Sequence, residues 1–130
     1  MRTVKAIVGG LVMIFSVTSV YAQKPGCKIF HEGKFRTTNQ GKEITFTRKG
    51  NQQVQYFDKV KEPTIYTIKW INDCTATLIP GKKQLAKLKG VPANAALTQK
   101  ITNISATSYT HVTSANFTKQ TITGEIFKIK

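Results

Sequence analysis

Residues that build catalytic and metal sites are scarce in this chain of 130 residues. It has two Cys, two His and six acidic residues. His31 and His111 form no H-x-x-H or H-E-x-x-H pattern, and two thiols without C-x-x-C spacing are too few for a zinc site. There is no G-x-S-x-G elbow and no phosphate-binding loop. The sequence therefore predicts no catalytic residue, no metal and no cofactor, and we expect that the protein is not an enzyme.

A small hydrolase stays open as an alternative to this expectation. Cys27 or Cys74 could act as a nucleophile beside His111. His31 and Glu32 are neighbours, so on a strand they would point to opposite faces and could not act together. Carboxylates facing each other across a cleft would have to be brought together by the fold, and the sequence does not indicate such a pair.

Long apolar runs are also scarce, and the one present stands at the N-terminus. It covers residues 6–20, which is shorter than the roughly 20 residues of a membrane-spanning helix. Arg2 and Lys5 precede it, and Val20-Tyr21-Ala22 follows as a cleavage site. This layout is typical of a secretory signal peptide. We expect a signal peptide over residues 1–22, a single exported domain over residues 23–130 in the periplasm or outside the cell, and no transmembrane segment after cleavage.

The two Cys take a structural interpretation in an exported chain. An even number of Cys in an oxidising compartment predicts a disulfide, here between Cys27 and Cys74. The loop that this bridge closes is long, so the chain-entropy model gives a stabilisation of roughly 3–4 kcal/mol. The alternative, two free thiols, would reopen the catalytic question.

Acidic residues are few beside 20 Lys and Arg, and the formal net charge is +14. Removing Arg2 and Lys5 with the signal peptide leaves 18 basic residues against six, or +12. Such a charge can attract anionic polysaccharide, nucleic acid or lipid head groups, and it can also serve solubility alone. Residues 81–90, a single helical turn or a long loop, carry the candidate residues for an anionic partner: Lys82, Lys83, Lys87 and Lys89.

What the mature chain has in quantity is strand-forming sequence. Thr, Ile, Val, Phe and Tyr are frequent, with Gly, Asn and Pro between them. The segments that we interpret as strands are residues 27–35, 43–48, 52–57, 64–71, 74–79 and, roughly, 98–105, 108–113, 116–122 and 125–129. Lys49-Gly50-Asn51 predicts a tight hairpin turn between the second and third.

This pattern predicts an all-β fold. Seven or eight short strands in about 100 residues, joined by short turns, indicate an antiparallel meander. We expect a small lipocalin-like barrel or a strongly curved sheet. A small barrel either fills its interior with side chains or leaves room for one ligand. The candidate lining residues of such an interior are Phe46, Tyr66, Ile68 and Trp70.

The segment KWINDCTATL, residues 69–78, holds the only Trp and one of the two Cys. We interpret Asn72-Asp73 as the turn of a hairpin and Trp70 as a core residue beside the disulfide. The segment is therefore predicted to hold the fold together and not to form an active site.

Several of these residues also form an ordered set. The set is C-x-x-F-x-x-G-x-F from Cys27, I-x-x-x-R from Ile44, Q-x-Q from Gln53, and K-W-I-x-D-C-x-x-x-L from Lys69. Over residues 27–79 the chain resembles a family of small uncharacterised exported proteins of Bacteroidota-type bacteria. It departs from the family at Thr75-Ala76, where an aromatic is expected after the Cys. The G-x-F after the first Cys is similar to the opening strand of lipocalin-like barrels, which is an analogy of fold alone.

Members of that family sometimes carry the label DNA topoisomerase IV. A topoisomerase needs a catalytic Tyr within a far larger scaffold that grips DNA, and this sequence does not support that activity. The function that we expect is an exported, non-enzymatic β domain that binds a small apolar ligand or a partner in the cell envelope. The alternative is a basic module that binds anionic polymers, polysaccharide or nucleic acid, through surface lysines.

Overall fold

Eight antiparallel strands form a closed barrel in which each strand pairs with the next, and β8 pairs with β1. The computed structural model describes residues 26–130, so the predicted signal peptide, residues 1–22, and its cleavage site lie outside the described residues. The all-β meander and its closure as a barrel are confirmed. The strands are β1 Gly33–Asn39, β2 Lys42–Lys49, β3 Gln52–Phe57, β4 Thr64–Asn72, β5 Thr75–Pro80, β6 Leu97–Ile104, β7 Ser108–Ala115 and β8 Thr121–Ile129.

The connections divide the barrel into two different ends. At one end, which we call the closed end, lie the short β2–β3, β4–β5 and β6–β7 turns and a 3₁₀-helix, Cys27–Phe30. At the other end, the open end, lie the β1–β2 turn and the three longer connections. One of these carries the short helix α1, Lys82–Lys87. Within residues 26–130 no helix has the length and apolar character needed to cross a membrane.

The β2–β3 hairpin is the local prediction that the structure confirms most directly. Lys49 pairs with Gln52, so Gly50 and Asn51 form a two-residue loop. Gly50 has a φ of 60°, a left-handed conformation that glycine adopts without the steric cost of a Cβ. The β4–β5 turn lies one residue later than predicted, at Asp73-Cys74, where the Asn72 side chain accepts a hydrogen bond from the Cys74 N–H at 2.9 Å.

The first strand was predicted to cover residues 27–35, and that prediction is wrong. Residues 27–30 form the 3₁₀-helix, and β1 begins only at Gly33. The chain changes direction there because Gly33 has a φ of 129°, and a Cβ at this position would lie 2.7 Å from Cε of Lys128. The helix thereby places Phe30, which is fully buried, in the interior at the closed end of the barrel.

The prediction of two strands, residues 116–122 and 125–129, separated by Gly124, is also wrong. Residues 121–129 form the single strand β8, and Gly124 pairs with His111 of β7 in its middle. The glycine does not end the strand; it makes room, because a Cβ there would lie 3.3 Å from Nε2 of His111.

The closed end is densely filled and covalently tied. Its core cluster contains Phe30, Phe35, Phe46, Ile101, Tyr109 and Ile126. The predicted disulfide between Cys27 and Cys74 is confirmed, with the two Cα atoms 5.2 Å apart. A disulfide fits an oxidising compartment. It ties the 3₁₀-helix to the β4–β5 turn and so holds the helix, which we call the plug, across this end of the barrel.

Trp70, like Cys74 of the disulfide, is partly buried and packs against the closed-end cluster. Its ring stacks on His31 with centroids 3.6 Å apart, and Nε2 of His31 lies 2.8 Å from the carbonyl oxygen of Asp73. Nε1 of Trp70 is buried without a hydrogen-bond partner among residues 26–130. The segment 69–78 therefore joins the 3₁₀-helix to the barrel wall, which makes it structural.

Candidate ligand-binding site

The open half of the barrel contains a cavity of about 150 Å³. Exposed residues of β1 and β8, among them Asn39 and Ile122, form part of its lining, so it reaches the surface at the open end. An engineered cavity of this size in another protein holds a molecule as large as benzene. The interior is thus filled at one end and hollow at the other.

The lining of the cavity is both apolar and polar. Apolar side chains come from four strands and are Ile44, Phe46, Leu78, Leu97, Ile122 and Ile126. The inward polar side chains are Gln53, Gln55, Tyr66, Gln99, His111 and Thr113. An apolar wall with a few placed polar groups is typical of small-molecule sites.

Arg48 lies in the interior between the cavity and the closed end, and it is 2% exposed. It follows Ile44 and Phe46 at alternate positions of β2, so the pleat of the strand directs all three side chains inward. Nη1 of Arg48 donates to the carbonyl oxygen of Phe30 at 2.9 Å. The plug at the closed end therefore supplies one of the acceptors that hold the guanidinium.

Aromatic rings surround the same guanidinium. Its Cζ lies 5.0 Å from the ring centroids of Phe35 and Phe46, 5.4 Å from Trp70 and 5.8 Å from Tyr109. Cation–π contacts of this kind stabilise a charge by about 2 kcal/mol when they are desolvated. Burial lowers the pKa of Arg48, and Tyr109 raises it in part, yet an arginine stays protonated in proteins.

No carboxylate balances this buried charge among the described residues. Within residues 26–130 the one ion pair joins Lys87 to Glu62 on the surface, and every acidic side chain is exposed. A buried charge without a counter-ion costs several kcal/mol unless dipoles and hydrogen bonds replace its hydration. Arg48 therefore gives the interior a net positive charge.

Two glutamines share the remaining contacts of Arg48. Its Nε donates to Oε1 of Gln53 at 2.8 Å, and its Nη2 donates to Oε1 of Gln99 at 2.7 Å. The hydroxyl of Tyr109 also donates to Oε1 of Gln99, at 2.7 Å. Burial raises the pKa of Tyr109, and Arg48 lowers it in part. Both glutamines line the cavity, so they connect its floor to the guanidinium.

His111 lies in the cavity wall beside Thr113, two residues along β7. Its Nδ1 is 2.7 Å from Oγ1 of Thr113, and that oxygen accepts from Nε2 of Gln99 at 3.3 Å. Burial, and after it the charge of Arg48, lowers the pKa of His111. Both effects favour the neutral form of the imidazole.

The candidate lining residues named from the sequence lie in three places. Phe46 and Tyr66 line the cavity. Ile68 is buried away from it, in a second core cluster with Ala76 and Leu78. Trp70 packs between that cluster and the closed end. Burial raises the pKa of Tyr66, so its phenol remains protonated at neutral pH.

The four candidate lysines lie outside the barrel. Lys82, Lys83 and Lys87 are exposed on α1, and Lys89 is exposed in the loop after it. Nζ of Lys87 lies 2.8 Å from Oε1 of Glu62, and Lys87 with Lys83 lowers the pKa of that carboxyl. One of the four positive charges is thus paired with an acidic neighbour.

The polar groups at the floor of the cavity, Arg48, Gln53 and Gln99, were not predicted from the sequence. Arg48 could have been found, because it follows Ile44 and Phe46 on the inward side of a period-two pattern. In β3 the more apolar side carries Val54 and Tyr56, whereas the side that faces the cavity carries Gln53 and Gln55. Nothing in β3 alone indicates that its polar side faces inward.

Among residues 26–130 no group of three or more His, Cys, Asp or Glu side chains could hold a metal ion. Comparisons of the chain with protein-family models, with curated proteins and with solved structures gave no match. The site is therefore interpreted from its own geometry.

Proposed function

We propose that this chain is an exported, non-enzymatic barrel that binds a small ligand in its open-end cavity. The observation that carries the proposal is the cavity of about 150 Å³ in a barrel whose other end is filled. Cores normally pack with few voids larger than a water molecule. Maintaining an open-ended void of this size, lined by apolar walls and convergent polar groups, fits a binding site.

The chemistry of the interior supports binding more than catalysis. Both Cys are held in the disulfide, so neither offers a thiol beside His111. Acidic side chains are exposed throughout residues 26–130, and none lies in the cavity lining. The disulfide and the basic leader with its apolar run support export, and membership of the exported family that the sequence resembles stays a prediction.

The size of the cavity limits the size of the small apolar ligand that we expected from the sequence. A void of about 150 Å³ suits a single ring or a short chain and is too small to enclose a long acyl chain. The polar groups in its wall also require that the ligand be only partly apolar. The ligand is therefore a small amphipathic molecule.

Nuclear magnetic resonance can test this with benzyl alcohol as the probe. We expect the amide signals of residues around the cavity to shift on titration while the closed end stays unchanged. The variant Leu97→Trp places a large ring in the cavity and should abolish the shifts. The matched control Thr98→Trp places the same ring on the outer face of the same strand and should keep them. Unchanged spectra with the wild-type protein, or undiminished binding in Leu97→Trp, would refute the proposal.

The second candidate function is binding of anionic polymers through Lys82, Lys83, Lys87 and Lys89. Their exposure on and after α1 favours it, whereas the pairing of Lys87 with Glu62 reduces the free charge. Retention on an anionic matrix should fall with salt and disappear when all four lysines become Gln. Retention that survives the four substitutions would exclude this surface.

A further inference from the structure

We propose that the cavity selects ligands that carry a carboxylate, because Arg48 orients two hydrogen-bond chains so that both end in N–H donors at the cavity wall. The proposal rests on the proposed function, since it names the chemical class of the ligand in that same cavity. It is carried by the contacts of Arg48, Gln53 and Gln99 and by the groups that follow them.

The direction of both chains is set at the guanidinium. Arginine has five N–H donors and no acceptor. Gln53 and Gln99 can therefore face it only with their carbonyl oxygens, at 2.8 and 2.7 Å. This removes the usual ambiguity between the oxygen and nitrogen of an amide. Each glutamine must turn its NH₂ group away from Arg48, Gln53 toward Gln55 and Gln99 toward Thr113.

The first chain continues along β3. Nε2 of Gln53 donates to Oε1 of Gln55 at 2.8 Å, so Gln55 is also oriented with its oxygen toward Arg48. Its own NH₂ group is then the end of the chain, and it has no hydrogen-bond acceptor among residues 26–130. Gln55 lines the cavity, and this donor is available to a ligand.

The second chain runs through β6 and β7. Nε2 of Gln99 donates to Oγ1 of Thr113, which leaves the Thr113 hydroxyl to donate to Nδ1 of His111 at 2.7 Å. The Thr113 hydroxyl has no other acceptor among the described residues. With this donation Nε2 of Gln99, the Thr113 hydroxyl and Nδ1 of His111 are all hydrogen-bonded. This donation assigns the neutral tautomer of His111 that carries its proton on Nε2. The chain therefore also ends in an N–H group.

The two ends approach the cavity from opposite walls. In a ring of eight strands β3 and β7 are four strands apart in either direction, so Gln55 and His111 lie on opposite sides. Gly124, beside Nε2 of His111, leaves the space that a Cβ would fill. The hydroxyl of Tyr66, also in the lining, has no partner within residues 26–130. These groups converge on a site for an acceptor.

The positive charge of the interior favours the same kind of ligand as the N–H donors that end the two chains, namely an anion. Arg48 is buried, and every acidic side chain within residues 26–130 is exposed. A positive charge in a site of low dielectric constant attracts an anion more strongly than it would in water. The amide groups are already oriented with their positive N–H ends away from Arg48, so they attract an anion without having to be reoriented. A small carboxylate supplies both the missing negative charge and the acceptor oxygens.

Three probes of nearly equal size separate charge from shape: benzoate, benzyl alcohol and benzamidine. Their affinities for the wild-type protein would be measured by calorimetry and by chemical-shift titration at pH 7. We expect benzoate to bind at least about tenfold more tightly than benzyl alcohol, which is the usual gain of a hydrogen bond to a charged group. Benzamidine, a cation, should not bind.

Variants of β3 test the role of the chain itself. Gln55→Leu removes the terminal donor and should reduce the preference for benzoate, while Gln55→Glu presents an acceptor and a negative charge and should abolish benzoate binding. Gln52→Leu makes the same chemical change as Gln55→Leu at an exposed position of the same strand and should leave binding unchanged. Thermal melts of each variant check that the barrel is folded.

Each outcome decides one of the two proposals. Binding of benzyl alcohol or benzamidine as tightly as benzoate would leave the cavity as a binding site and overturn its selectivity for carboxylates. A preference for benzoate that survives Gln55→Glu would also overturn it, since the donor chain would then play no part. If none of the three probes binds, the proposed function fails and the selectivity fails with it.

Discussion

The two ends of the barrel use the same eight strands to opposite effect. At the closed end, aromatic side chains, the 3₁₀-helix and the disulfide fill and tie the interior. At the open end, inward positions carry Gln, Thr and His, and a void remains. The comparison teaches that stability is concentrated where the chain is crosslinked and packed. The other end can thereby keep polar groups and space, which reduce stability and which the proposed function assigns to binding.

The largest effect is expected from cutting the crosslink of the closed end. The disulfide joins residues separated by 47 positions, for which loop-closure entropy gives a stabilisation of about 4 kcal/mol. The double variant Cys27→Ala/Cys74→Ala should lose about that free energy of unfolding, measured by urea denaturation. Reductant should destabilise the wild-type protein to a similar extent and leave the variant unchanged. Equal stability of the oxidised and reduced wild-type protein would show that the crosslink does not hold this end.

Larger side chains in the packed core and in the cavity should differ in their effect on the free energy of unfolding. Ala76 is 1% exposed in the second core cluster and does not line the cavity, so Ala76→Leu should destabilise the barrel by about 1–3 kcal/mol through overpacking. Leu97 lines the cavity, and Leu97→Phe should cost much less because the void accepts the larger ring. Urea midpoints measure both. Equal losses would mean that the open end is as tightly packed as the rest.

A smaller, pH-dependent effect is expected from His111 in the cavity wall. The pKa of His111 is lowered in the folded protein, so near the ordinary histidine pKa of about 6.5 the unfolded chain binds a proton that the folded barrel does not. Stability contributed by the neutral ring is present above that pH and is lost as the pH falls through the folded pKa. The urea midpoint should therefore fall as the pH is lowered from 7.5 to 5.

The variant His111→Gln identifies the group responsible for that pH dependence. It removes the titrating ring while keeping a polar side chain in the cavity wall, and its urea midpoint should depend less on pH over the same range. An identical pH profile in the variant and the wild-type protein would assign the effect to other groups.

Elements with a strong local signal were predicted well. The β2–β3 hairpin follows from a two-residue loop with Gly50, and β3 has the predicted bounds, residues 52–57. The strand over residues 27–35 failed because alternation alone cannot show that the disulfide and the burial of Phe30 draw residues 27–30 into a 3₁₀-helix. Gly124 was read as a break because its reason, the ring of His111, lies on another strand.

The candidate site was accessible from the sequence only in part. Phe46 and Tyr66 line the cavity, since large inward side chains are marked by alternation. Ile68 and Trp70 share that pattern and lie elsewhere, because alternation gives the face of a strand but not the depth in the barrel. Gln53 and Gln99 were missed because each resembles a surface residue until Arg48 is placed between them.

The amino-acid sequence by itself determined the all-β meander, the β2–β3 hairpin turn and the pairing of its two Cys, because these depend on near neighbours and on residue counts. Only the tertiary structure decided which end of the barrel is filled and which polar side chains face inward. Arg48 and Gln99 are 51 positions apart and meet only when the barrel closes. The direction of the hydrogen bonds toward the cavity exists only in that closed ring, where a donor-only guanidinium is buried among amides.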